Sequence, residues 1–283
     1  MFDLANFRVT ELTDSENELF AEYITSASVS WSIDGVSEVM LEIFDPRATM
    51  FRNNYFQVRR ELSIGDGEKN LFEIASVEIN QGQGDGAGIR LECRRKPIQR
   101  MKRDRDTASI KGITATDYAA LAAQKYGLEF VGESTKVRRQ VQKATGADAD
   151  ERVWGVITRL AGEAQFSVFE SDGTLYFASQ EWLLGKWANL EFRYPSEAAS
   201  AFQILQLPNC RRSDDADSLD SEASFILQRS TTTEGLRAGM TINLTNMGEF
   251  DRQYLIGEVS YDLGKPDPVG VACRSPYRKQ PKR

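Results

Sequence analysis

The chain has 283 residues, 41% of them hydrophobic and 10% aromatic, which is enough for two or three packed domains and too apolar for global disorder. It contains no histidine, which removes Ser-His-Asp and Cys-His catalysis, HExxH metalloprotease chemistry and histidine metal sites together. A net charge of −7 argues against a general nucleic-acid binder, which presents a basic face, but does not exclude a surface that nucleic acid slides past without sticking.

The N-terminal stretch MFDLANFRVTELTDSENELF is acidic and broken by polar residues, so it lacks the basic and apolar regions of a secretory signal. No apolar run approaches the roughly 20 residues of a membrane-spanning helix. The expectation is a chain made and folded in a cytosol. Residues 24–33 alternate through Val29, Trp31 and Ile33, and residues 37–44 through Val39, Leu41 and Ile43. Asp34-Gly35 between them is a hairpin signal, and Asp45-Pro46 ends the second strand. A further strand is expected over 54–62, and a pair over 71–80 and 88–94 joined by the glycine-rich loop Gly82 to Gly88.

Residues 94–105 (RRKPIQRMKRDR) carry seven basic residues with no aromatics interleaved to stack on bases. They argue for a solvated linker, or a contact with an acidic neighbouring subunit, over a phosphate-binding strip. The texture then changes. TATDYAALAAQKYGL reads as a helix with Tyr118, Leu121, Ala122 and Lys125-Tyr126 at helical spacing, Thr114 or Thr116 as cap and Gly127 as stop. After a loop over 134–150, DERVWGVITRLAGEAQ reads as a second helix, capped by Asp150, with Val153, Trp154, Ile157, Leu160, Ala161 and Ala164 on one face. A hairpin follows, Phe166–Phe169 and Leu175–Phe177, turning at Ser171-Asp172-Gly173. The last part reads as strands over 202–210 and 222–229, an acidic loop from Ser213 to Ser221, a strand entered through a tight turn at 236–242, a turn at 246–251, and a basic tail at 277–283.

The chain says nearly the same thing twice. NLFEIASVEINQGQGDGAGIRLECRRKP at 70–97 and QYLIGEVSYDLGKPDPVGVACRSP at 253–276 share an apolar run, a Gly/Pro/Asp loop and a closing alternation (Ile89, Leu91, Cys93 against Val269, Val271, Cys273). Upstream, Ser37-Glu38 opens SEVMLEI and Ser221-Glu222 opens SEASFIL, so matched pieces occur in the same order. A spacing near 180 residues is too long for a solenoid, whose periods run about 20–50 residues. It reads as one small β-domain used twice. The fold class expected is α+β, mainly β: two similar antiparallel barrel or sandwich domains at 1–108 and 196–283, with an α+β module inserted at 109–195.

The residues offer no site. Cys93, Cys210 and Cys273 are an odd set without CxxC spacing and read as small buried hydrophobes. Asp214, Asp215, Asp217 and Asp220 lack the order, central glycine and distal glutamate of an EF-hand, and read as a solvated connection. The Gly82 to Gly88 loop lacks GxxxxGK[ST] and opens no helix. TATDYAALAAQKYGL resembles the first helix of a peptidoglycan-binding LysM module only in generic pattern. Trp182 and Trp187 fit core or interface packing better than sugar stacking. Expected, then, are no catalytic residues, no cofactor-binding residues, no metal and no cofactor.

Taken together, DERVWGVITRLAGEAQFSVFESDGTLYFAS at 150–179, PNCRRSDDADSLDSEASFIL at 208–227 and LRAGMTINL…YLIGEVSYDL…GVACRSP at 236–276 resemble the hub family of phage baseplates and related contractile injection machines. Gln165 stands where that family's pattern usually has glycine. The resemblance implies a homotrimer in which two tail-tube-like domains per chain make a pseudo-sixfold ring. It implies a ring that joins the tail tube, or a tube-initiator protein, to the central spike and contacts baseplate wedge proteins, in a virion assembled in the host cytoplasm. DNA would only pass through the lumen. The alternative is a peptidoglycan-binding or cell-wall-degrading tail-tip protein.

Overall fold

A computed structural model describes residues 7–64, 71–81, 86–106, 112–138, 151–186, 190–212, 221–263 and 268–275. The strands of the first part are β1 (Phe7–Val9), β2 (Ile24–Ser32), β3 (Glu38–Asp45), β4 (Glu61–Ile64), β5 (Leu71–Gln81) and β6 (Ala87–Arg95). Helices α1 (Asp14–Tyr23) and α2 (Thr49–Arg52) lie among them, and α3 (Lys96–Arg103) follows. Next come α4 (Ala115–Lys125), β7 (Glu129–Gly132), α5 (Val153–Ala164), β8 (Ser167–Ser171), β9 (Thr174–Ala178), α6 (Gln180–Lys186) and β10 (Leu190–Arg193). The last part holds β11 (Asn209–Arg212), β12 (Ser221–Leu227), α7 (Thr231–Glu234), β13 (Thr241–Thr245), β14 (Arg252–Asp262) and β15 (Val269–Ser275).

The repeat is visible in the strand pairing. The first part runs β4-β5-β6-β3-β2 across its sheet and the last part β13-β14-β15-β12-β11, the same order. The registers agree residue by residue. Cys93 lies between Val39 and Ile74, and Cys273 between Ala223 and Ile256. Each long strand carries one bulge at the matching point, Ala75 between Ile74 and Ser76, and Gly257 between Ile256 and Glu258. Even the short helices correspond, α2 between β3 and β4, α7 between β12 and β13. Alternation explains the burial: Val39, Leu41 and Ile43 of β3 and Ala223, Phe225 and Leu227 of β12 all point into one core.

The two parts do not form separate barrels, as the sequence suggested. β14 pairs with β2, so all the strands of both parts join one 12-stranded sheet, and among the described residues no pairing closes it. The reason is edge satisfaction: beyond its bulge β14 leaves β13 and offers a bare flank, and β2 covers it (Glu258 opposite Ser32 through Asp262 opposite Ser28). The copies diverge at their outer strands, where β1 runs antiparallel to β4 but β10 runs parallel to β13.

A second core is built by α3, α4, α5 and the small sheet β7-β9-β8. Thr114 caps α4 and Gly127 follows it at φ 76°, as expected. The buried face of α4 is Ala115, Tyr118, Ala119, Ala122 and Ala123, while Leu121 is exposed. On α5 the buried set is Val153, Val156, Ile157, Leu160 and Ala161; Trp154 sits at the rim, half-buried. The helix ends at Gln165 in the left-handed region (φ 57°), the conformation that glycine adopts most freely. The α5 cap is Arg152, with no side-chain capping bond to the helix, and Asp150 lies outside the described residues.

Other expectations are corrected. Residues 54–62 are mostly not a strand: Asn54 and Arg59 have positive φ (54° and 79°), and only β4 continues the ladder. The expected strand over 202–210 is present only from Asn209, preceded by an isolated bridge from Ile204 to Leu227. The basic segment 94–105 is no linker, because Ile98 and Met101 are wholly buried on one side of α3.

Candidate assembly site

The inner face of the large sheet is apolar and filled. The outer face is polar and open. Glu42, Glu78, Glu92, Glu222, Glu258 and Asp262 occupy outward positions on neighbouring strands and outnumber Arg90, Arg94, Arg211 and Arg274 there. Between the charges runs a strip of small side chains: Ser28, Ser30 and Ser32 on β2, Ser260 on β14, Gly270 and Ala272 on β15, Ser224 on β12. A shallow groove of about 540 Å³ crosses this strip, bordered by Asp34, Arg211, Glu222, Glu258 and Arg274, with Arg274 ion-paired to Asp34.

The α+β module overhangs one end of that face. Trp154 and Thr158 of α5 and Lys102 of α3 border a cavity of about 420 Å³ with Ser30, Glu38 and Arg94. Burial raises the Glu38 carboxyl pKa, and the nearby Glu92 adds to it against the pull of Arg94. Burial lowers the Lys102 ammonium pKa, with Arg94 adding repulsion. These are ordinary consequences of crowding charges under a helix.

Three parts of the chain meet on the core side of the sheet. Glu170, on β8, is fully buried and takes hydrogen bonds from the Ser37 N–H (2.9 Å), the Gly173 N–H (2.6 Å) and Arg95 Nε (3.2 Å). Asp172, one turn on, lies within ion-pair distance of Arg95 (3.6 Å) and of Arg237 (3.2 Å). Arg237 lies over the Trp31 ring at 4.1 Å. Gly239, at φ 91°, admits the Phe169 ring, which a Cβ there would meet at 3.0 Å. First β-unit, module and second β-unit are therefore locked at one point.

No grouping of His, Cys, Asp and Glu among the described residues could hold a metal ion. Cys93 and Cys273 are buried and Cys210 half-buried; burial pushes all three thiols up, away from the reactive thiolate. Trp182 packs against the main core from α6. The loop of Asp214, Asp215, Asp217 and Asp220, most of the Gly82 to Gly88 loop, Trp187 and the basic tail lie outside the described residues.

This architecture recurs in solved structures. The 43 kDa tail protein of prophage MuSo2 from Shewanella oneidensis is similar at a TM-score of 0.60 and 11% identity, over 89% of this chain and 92% of that one. A tail protein from Neisseria meningitidis is similar at 0.57 and 12% identity, over 90% and 92%. The chain has the fold of phage tail proteins. An E. coli component of the type VI secretion system, described as structurally similar to the T4 bacteriophage tail proteins gp27 and gp5, gives a TM-score of 0.56 at 10% identity over 96% of this chain and 77% of that one. No protein-family model and no curated protein matches the chain.

Within this tail-protein fold, sequence reasoning found the repeated strands and missed the junction. Nothing local marks Glu170 as buried; the one signal is a lone carboxylate inside the alternating run SVFES, ahead of an Asp-Gly turn. Arg95 was read as part of a solvated basic stretch, yet its side chain is 4% exposed.

Proposed function

We propose that the protein is a structural hub of a phage tail baseplate, acting without catalysis. Three chains assemble into a ring of six similar β-units that joins the tail tube to the central spike. The observation that carries this reading is the same five-strand order occurring twice in one chain, the two copies already paired edge to edge. Repeating that pairing around an axis satisfies exposed strand edges, and closed rings are how heterologous contacts avoid open-ended polymerisation. Similarity to tail-protein structures supports the setting.

In the ring, the outer polar face lines the channel. Its excess of carboxylates repels DNA and lets it pass. With a first unit at 1–108, a module at 109–195 and a second unit at 196–283, the module would stand off one end of the ring, outside its strand wall, against spike, tube-initiator or baseplate wedge proteins. Electron microscopy of assembled tails tests this: three copies per ring at the tube–spike joint are expected. One or six copies there would overturn it, and muralytic activity of the purified chain on cell walls would favour the peptidoglycan reading instead.

A further inference from the structure

The contact between the two β-units inside the chain has a counterpart with no partner among the described residues. In the chain, β14 past its bulge pairs with β2. By the register of the repeat, the equivalent of β14 past the bulge is β5 from Ser76 onward, and the equivalent of β2 is β11. Both flanks are bare among the described residues: β4 and the residues just before it bond β5 only as far as Ile74, and β11 pairs only with β12. Burial reports the missing cover. Tyr261, under β2, is 5% exposed, whereas its equivalent Ile79 is 45% exposed. Val259 is buried, whereas Val77 is only half-buried.

We infer that β5 beyond Ala75 pairs antiparallel with β11 of a second copy of this chain, in the register that β14 and β2 use internally. Val259 opposite Trp31, Ser260 opposite Ser30 and Tyr261 opposite Val29 translate to Val77 opposite Arg212, Glu78 opposite Arg211 and Ile79 opposite Cys210 of the neighbour. This register sets a carboxylate against a guanidinium on the outer face. Both Glu78 and Arg211 are exposed, and among the described residues neither is in an ion pair. On the inner face it sets an exposed isoleucine against a half-buried cysteine. The copies meet head to tail, so every chain gives one flank and takes one. Leu205 and Leu207, exposed on the approach to β11, fall beside the same seam.

This inference rests on the ring reading, and two measurements separate them. In Ile79→Cys, oxidation or a short bifunctional thiol reagent applied to assembled tails and to concentrated purified chain should link neighbouring copies through native Cys210, and adding Cys210→Ser should abolish the link. The ladder of linked chains should stop at three. Linked chains in a ladder that stops elsewhere keep the strand pairing and overturn the trimer. A native trimer without any link in either preparation overturns the pairing and keeps the hub. Charge exchange provides the second arm: Glu78→Arg and Arg211→Glu should each weaken association about tenfold or more, and the double exchange should restore it. No recovery in the double exchange counts against the register.

Discussion

The guanidinium of Arg95 and the carboxylate of Glu170 meet at 3.2 Å where their side chains are 4% and 0% exposed, and 75 positions separate them in the chain. The pair lies out of water, although Arg95 also reaches Asp172 at 3.6 Å. It is held by a strand end of the first β-unit and a strand of the module, so it reports whether those two are docked.

Arg95→Met is expected to lower the unfolding free energy by about 3–5 kcal/mol, since it leaves the buried Glu170 carboxylate without its cation, and Glu170→Gln is expected to cost less, since Arg95 keeps Asp172 within ion-pair distance. The double variant Arg95→Met with Glu170→Gln is expected to lose less than the sum of the two. Urea denaturation of the four proteins, read as a double-mutant cycle, checks this; additive losses would mean the two charges do not depend on each other.

Gly239→Ala is expected to cost about 1–3 kcal/mol, because φ 91° is poorly accessible to any other residue and the new methyl meets the Phe169 ring. Gly185→Ala, in helix α6 where a Cβ meets nothing within 4 Å, serves as the comparison and should be neutral to slightly stabilising in thermal denaturation.

Trp154→Ala is expected to cost less than Leu160→Ala despite the larger side chain. Leu160 is wholly buried and should lose about 2–5 kcal/mol, whereas Trp154 lies at the rim and leaves no enclosed cavity. An equal or larger loss in Trp154→Ala would show that the rim is covered in solution.

Alkaline conditions should destabilise the protein in two steps. Burial raises the Cys93 and Cys273 thiols, so above about pH 8.5 the unfolded chain releases protons that the folded chain keeps, at about 1.4 kcal/mol per pH unit for each thiol. Below that pH both states hold the proton and these groups add no dependence. From about pH 10 the tyrosines Tyr126, Tyr254 and Tyr261, pushed up to about 12, act in the same direction. Denaturant midpoints across pH 7–11 check the sign, and thiol labelling of the native protein should modify Cys210 well before the other two.

The repeat was legible because each half-buried strand imposes a period of two, and that period survives even where few identical residues do. The hairpin turn at Asp172-Gly173 was legible because both residues adopt positive φ, as the dipeptide foretells. Helix α1 was not read, since only Asn17 and Phe20 are buried along it; its capping box, Thr13 with Glu16, was the available sign. The stretch before β4 misled because Tyr55, Phe56 and Val58 look like strand residues, while backbone reversals at Asn54 and Arg59 break the ladder. The joining of β2 to β14 could not be read at all. It couples residues more than 220 positions apart, from Glu258 with Ser32 to Asp262 with Ser28, and what decides it is a bare flank exposed by a bulge, which leaves no local pattern.

The bulge at Gly257 gives β14 two sets of neighbours along its length, β13 before it and β2 after it, with β15 alongside from Leu255 to Ser260. A tug on one β-unit therefore reaches the other as sliding along a strand, loading several backbone hydrogen bonds at once rather than peeling them in turn. A fabric woven in this way stiffens against axial strain, and its weakest line is where separate threads, not one continuous thread, lie side by side.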